Sequence, residues 1–191
     1  RDIVAIVGAT ASSKTEIGIK VARALGGEIV SVDSRQVFRH MDIGTAKPTA
    51  QDQARVKHHF IDVCEPDTPY NAGEYGRAAR RCIEQMMSRG VVPVLVGGSG
   101  LYLRSILDGF FDESPGSHHL RAMLYERLYA EGLPALYEQL RIIDPIGSER
   151  ISPNDSQRVL RALEVGLSAG TTLTVLQHQQ QADEIESTPL V

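Results

Sequence analysis

Apolar residues recur at two different spacings along this chain, and the change from one to the other divides it. Ile3 to Val7 is a short apolar run rich in β-branched residues and reads as a strand. Ile17, Val21 and Leu25 then recur every four residues, which predicts a helix with one buried stripe that stops at Gly26-Gly27. Glu28 to Val32 reads as a second strand ending in Asp33-Ser34-Arg35-Gln36, and the polar segment Arg39 to Lys57 as loop and short helix. A third strand is expected over Phe60–Val63, before a turn at Pro66, Asp67 and Pro69, then a helix over Ala72–Arg89 with Ala79, Ile83 and Met86 on one face. Val91–Val96 is almost wholly apolar, as a parallel strand covered on both faces would be, although Pro93 removes one ladder donor. It runs into Gly97-Gly98-Ser99-Gly100 and a new helix from Leu101.

Four βα units in succession predict a three-layer α/β fold with a parallel sheet. From about Leu120 only the helical period remains. Leu120, Leu124 and Leu128 form one stripe, Leu133–Ile143 a second helix, and Ser156–Ser168 a third, with Asn154 or Asp155 as its N-cap. The expected organisation is an α/β core over 1–112, a helical insertion over 113–170, and a truncated or poorly ordered tail over 171–191.

The first strand and helix flank the most informative stretch, Gly8, Ala9, Thr10, Ala11, Ser12, Ser13, Lys14 and Thr15. Strand, glycine turn, lysine and hydroxyl at a helix start outline a phosphate-binding loop. Backbone N–H groups curl around an anion, the helix N-terminus adds partial positive charge, the lysine reaches phosphate oxygens and the hydroxyl of Thr15 ligates Mg²⁺. The pattern asks for glycine before the lysine, and Ser13 stands there. The core is therefore expected to be P-loop NTPase-like, with Asp33 at the carboxyl end of a strand, where open α/β sheets bind ligands.

Composition narrows the setting. Hydrophobic residues make up 42% and charged residues 23%, an ordinary globular balance. No apolar run approaches the roughly 20 residues of a membrane span, so no membrane partner and a cytoplasmic location are expected. A net charge of −4 excludes a broadly basic nucleic-acid coat but leaves room for a local basic groove. Cys64 and Cys82 have no metal-type spacing and are expected in the core; His58-His59 and His118-His119 lack supporting ligand spacing and are expected at loop or surface positions.

The segments GATASSKT at 8–15, DSRQVF at 33–38, MDIGTAKP at 41–48, GGSGLYLR at 97–104 and ISPNDSQRVLRALEV at 151–165 together resemble the tRNA dimethylallyltransferase family, also called tRNA isopentenyltransferases. The resemblance covers nearly the whole chain, and the family's proteins continue past this C-terminus. The chain departs from the family at Ser13 for glycine, Ala9 for proline, Phe38 for tyrosine and Ser99 for threonine. It implies transfer of a dimethylallyl group from its diphosphate to N6 of an adenine beside the tRNA anticodon. Lys14, the loop amides, the hydroxyls of Ser12 and Thr15, and Mg²⁺ would then hold the departing pyrophosphate. By match to the family motif Asp33 is the general base, with a second-shell magnesium role as its alternative. Ser99 would bond the flipped adenine or orient Asp33. Ser34, Arg35 and Gln36, with Gln157, Arg158, Val159, Leu160 and Arg161 and with Arg121 as a weaker candidate, would contact tRNA. Lys47 would face the diphosphate or the RNA. The chain is expected to act as a monomer on tRNA and dimethylallyl diphosphate. Competing readings are prenylation of free adenine nucleotides, a small-molecule kinase holding Mg·ATP with Thr15 and an acidic residue, and an RNA-binding module without turnover.

Overall fold

The computed structural model describes residues 2–9, 12–109, 118–168 and 170–176. The chain divides into two compact units, Arg1–Phe110 and Phe111–Val191.

In the first unit β1 (Val4–Val7), β2 (Gly27–Val32), β3 (His58–His59) and β4 (Val92–Gly97) form a parallel sheet in the order β1-β4-β2-β3. Strand alternation sends the two faces of β2 and β4 to different partners. Ile29, Val94 and Val96 pack with Ile19 and Ala22 of α1 (Lys14–Leu25) and with Val56, which follows α2 (Ala50–Arg55). Val30, Val32 and Leu95 pack on the other side with Tyr75, Ala79 and Met86 of α3 (Ala72–Ser88) and Tyr102 and Ile106 of α4 (Gly100–Leu107). Those are the three layers the apolar pattern implies. Tyr75 pins the second face: its ring stacks on Tyr102 at 4.1 Å between centroids, and its hydroxyl donates to Ser31 O at 2.7 Å.

The third strand is shorter than expected and lies earlier. Phe60 and Asp62 adopt left-handed backbone, with φ of 64° and 54°, so Phe60–Val63 bends where extended chain was predicted. The bend is held against residues 36–39: Asp62 N donates to Gln36 O and Val63 N to Val37 O.

The second unit contains α5 (His118–Glu131), α6 (Leu133–Ile143), α7 (Pro145–Arg150) and α8 (Ser156–Ser168). Leu124, Leu136, Leu140, Val159 and Leu163 are its most buried members. Asp155 Oδ1 accepts from Arg158 N at 3.1 Å, so Asp155 caps α8. The short α7 carries little apolar periodicity and was not foreseen. The buried Asp144 caps it through Gly147 N and also accepts from Thr174 N and Oγ1, which ties residue 174 of the expected tail into the unit. Residues 177–191 lie outside the described residues.

Candidate active site

A cavity of about 310 Å³ opens on the α1 side of the sheet, at the carboxyl ends of its strands. Ser12, Ser13, Lys14 and Thr15 form one wall; Ser31, Asp33 and Gln36 form another; Ile29 and His58 lie deeper, at paired positions of β2 and β3. The phosphate loop and the acidic strand end, separate in sequence, therefore face the same space.

The loop closes on itself. Ser12 Oγ donates to Ala9 O at 2.8 Å, and Lys14 Nζ donates to Ala9 O and to Ser12 Oγ. Two of the ammonium's three N–H donors are thus engaged in holding the loop, and the third has no partner among the described residues. Ser13 has φ of 57°, the left-handed conformation that glycine adopts freely and serine adopts at a cost of roughly 1–2 kcal/mol. The chain keeps the loop's backbone course despite the side chain. Thr15, in the first turn of α1, lines the cavity. Thr10 and Ala11 lie outside the described residues.

Asp33 is fixed by its own turn. Its Oδ1 accepts from Arg35 N at 2.8 Å and from Gln36 N at 3.3 Å, while Oδ2 has no hydrogen-bond partner among the described residues. One oxygen is anchored and the other is left for chemistry. Ser99 does not bond Asp33. It acts one residue along, its Oγ accepting from Ser34 N at 2.9 Å and donating to Ser34 Oγ at 3.3 Å. It lines a smaller neighbouring hollow of about 160 Å³ with Gly8 and Leu103, and Gly97 and Gly98 border both spaces. Gly97 cannot be otherwise: a Cβ there would lie 2.0 Å from Val32 O.

Several expected RNA contacts lie inside the fold. Gln36 is buried, its Oε1 accepting from Ser31 Oγ at 2.9 Å and its Nε2 donating to Thr45 O and Ala46 O, so its amide braces the 41–48 loop over the cavity. Lys47, expected to face the diphosphate or the RNA, is engaged within the fold. Its side chain is 6% exposed and donates to Asp42 at 2.8 Å, Asp62 at 2.7 Å and Phe38 O at 3.0 Å. Burial alone would lower its pKa, but the hydrogen bonds it donates to Asp42 and Asp62 outweigh that and raise it above the ordinary lysine value. Ser34 and Arg35 remain exposed beside Asp33.

In the second unit Val159 and Leu160 are core residues, 0% and 7% exposed, because α8 turns that face inward. Gln157 and Arg158 are exposed. Arg121 and Arg161 both donate to Glu164 Oε2 at 2.9 Å, and the glutamate side chain is only 3% exposed. Burial works to raise the Glu164 pKa, and the two guanidiniums override it and hold it below the usual 4.5.

His58 is the residue that sequence spacing passed over. Its Nδ1 lies 2.8 Å from Val56 O and so carries the proton, which leaves Nε2 as a bare acceptor, buried and without a partner among the described residues. Burial also lowers its pKa, favouring the neutral ring. Only the β2–β3 pairing, invisible in the histidine doublet, carries it to the cavity wall. His59 turns to Glu28 instead, at 2.6 Å.

A family described as IPP transferase matches residues 36–191. The chain is 47% identical to a tRNA dimethylallyltransferase of Syntrophobacter fumaroxidans over 95% of this chain and 53% of that protein. It is 44% identical to one from Geobacter sulfurreducens over 95% and 59%. Among solved structures, the full-length tRNA isopentenylpyrophosphate transferase of Bacillus halodurans is 38% identical, covers 89% of this chain and 56% of its own, and superposes with a TM-score of 0.58. A eukaryotic dimethylallyltransferase acting on tRNA reaches a TM-score of 0.76 at 27% identity, over 85% of this chain and 40% of its own. The chain spans about half the length of the curated relatives it matches. With the phosphate loop, the strand-end aspartate and the glycine turn meeting around one cavity, and with a family match over most of its length, the chain belongs to the IPP transferase family.

Proposed function

We propose that this chain takes part in transferring a dimethylallyl group from dimethylallyl diphosphate to N6 of an adenine next to the anticodon of tRNA, releasing pyrophosphate. The observation that carries the reading is the shared cavity: a loop fit for a leaving diphosphate and a carboxylate oxygen with no partner among the described residues face one space. An adenine amine is a weak nucleophile because its lone pair is delocalised, so the site must both remove a proton and stabilise the leaving group. As the C1–O bond of the prenyl diphosphate breaks and the C1–N6 bond forms, the N6 proton passes to Asp33 Oδ2 and the departing electron pair goes to the diphosphate. Lys14, the loop amides and the Ser12 hydroxyl meet that charge. Ser99 positions the base through Ser34, and Ser34 and Arg35 stand beside it for the RNA.

Among the described residues no cluster of three or more His, Cys, Asp or Glu exists to hold a metal by itself. The Thr15 hydroxyl at the cavity suits Mg²⁺, which takes few protein oxygens and completes its shell with phosphate and water. Thr15 would hold it, and when bound it supplies positive charge to the diphosphate. The reading places the chain in the cytoplasm, acting as a monomer.

The test is transfer of labelled dimethylallyl to unmodified tRNA with and without Mg²⁺, beside an ATP-only control. Label in RNA is expected, independent of ATP; ATP turnover without label would overturn the reading. Asp33→Asn is expected to slow transfer about 10²–10⁴-fold while diphosphate affinity stays unchanged. Equal loss of both would sink the base assignment.

A further inference from the structure

The exposed face of α5 carries Arg121, Tyr125 and Tyr129 four residues apart. Each such step advances about 6 Å along the axis and drifts about 40° around it, so the three form one stripe about 80° wide. The neighbouring stripe, Leu120, Leu124 and Leu128, lies about 100° around the helix and packs into the core, which leaves the tyrosine stripe at its exposed flank. Tyr125 is 53% exposed and Tyr129 96% exposed. Tyr137, in the same unit, shows what a structural tyrosine looks like here: half-buried, with its hydroxyl donating to Ser148 O and near Ile151 O. Neither Tyr125 nor Tyr129 has such a bond among the described residues.

Charge says what this face fits. Arg121 heads the stripe, and Arg161 of α8 reaches the same Glu164 oxygen, so two guanidiniums share one carboxylate and leave an excess of one positive charge at that end. Both remain partly exposed, at 54% and 41% of their side chains. Among the described residues no carboxylate lies on the stripe itself; Glu126 is exposed at its edge, about 60° around the helix from Tyr129, and Glu131 is engaged by Arg127. In a chain of net charge −4 a local cationic end followed by two open aromatic rings is matched to a polyanion with exposed bases.

We infer that Tyr125 and Tyr129 are a stacking platform for unpaired bases of the RNA substrate, with Arg121 and Arg161 holding phosphates of the same strand. The inference rests on the tRNA reading above. Aromatic stacking tolerates any base, so the platform adds affinity for single-stranded loop nucleotides without reading their sequence.

The experiment is fluorescence anisotropy of the full chain with a labelled, unmodified anticodon-arm hairpin and, in parallel, a fully paired RNA duplex, each over a salt series. Tyr125→Ala and Tyr129→Ala are each expected to weaken hairpin binding about tenfold, leaving duplex binding and the salt slope unchanged. Tyr→Phe variants retain binding. Arg121→Ala should instead flatten the hairpin salt slope by about 0.7. Both tyrosines are exposed, so thermal midpoints of the variants should match the parent. Hairpin affinity untouched by both Ala variants, or hairpin and duplex weakened alike, overturns the platform, as does a change of oligomeric state with RNA affinity intact. Failure of the parent chain to bind either RNA overturns the tRNA reading itself; binding and transfer by the parent with unaltered tyrosine variants overturns the platform alone.

Discussion

Each unit buries one charge between two of opposite sign, and the two arrangements are inverse in polarity. In the first unit the Lys47 ammonium, 6% exposed, sits between Asp42 and Asp62. In the second the Glu164 carboxylate, 3% exposed, sits between Arg121 and Arg161. The difference lies in what is left over. Lys47 adds a bond to Phe38 O and thereby ties the 38–48 loop to the bend at Asp62; its two carboxylates leave an excess negative charge, so the cluster is scaffolding. Glu164 leaves an excess positive charge on two half-exposed guanidiniums. The same local physics yields a brace in one unit and a locally cationic surface in the other.

Three substitutions break or sharpen that contrast. Lys47→Met should have the largest effect on stability, about 2–3 kcal/mol by urea unfolding, because it strands Phe38 O and leaves two carboxylates facing each other. It should also lower ligand affinity at the cavity, since the loop over it is unpinned; a stable variant with normal affinity would show the brace to be dispensable. Glu164→Gln should cost about 1–2 kcal/mol at neutral pH, keeping a hydrogen-bond acceptor but not its charge. Its pH dependence is more telling. The folded pKa lies below the ordinary 4.5, so the stabilisation is full above that value and is lost as pH falls through the folded one. Acid unfolding below about pH 4.5 should therefore flatten in the Gln variant, and an unchanged acid limb would place the acid-sensitive group elsewhere. The smallest effect is expected from Ser13→Gly, which should relieve about 1 kcal/mol of left-handed strain and tighten diphosphate binding. Equal or weaker binding would mean that the loop has adapted to serine.

Much of this was legible in the residues, for reasons that differ by region. Strand and helix periods announced the α/β core because β2 and β4 bury both faces and α1 and α3 bury one. The phosphate loop and Asp33 were readable since both lie at strand ends, where local pattern fixes position. Side-chain orientation in loops was not. Whether Lys47 or Gln36 points outward depends on Asp62 and Thr45, and so on two left-handed residues, Phe60 and Asp62, that no propensity favours. His58 reached the cavity through a two-residue strand too short to show a period. Within α8 the motif mixed two roles that helical phase separates: Arg158 outward, Val159 and Leu160 inward.

Gly97 has a consequence for how the site moves. Its Cα lies against the carbonyl of Val32, and that carbonyl accepts from Gly98 N and Ser99 N while Ser99 Oγ takes the amide of Ser34. The ends of two strands are thereby clamped backbone to backbone. The turn bearing Asp33 and the turn bearing Ser99 are therefore coupled, so the Asp33 carboxylate keeps one aim, and under the proposed reaction the orientational search falls on the substrates.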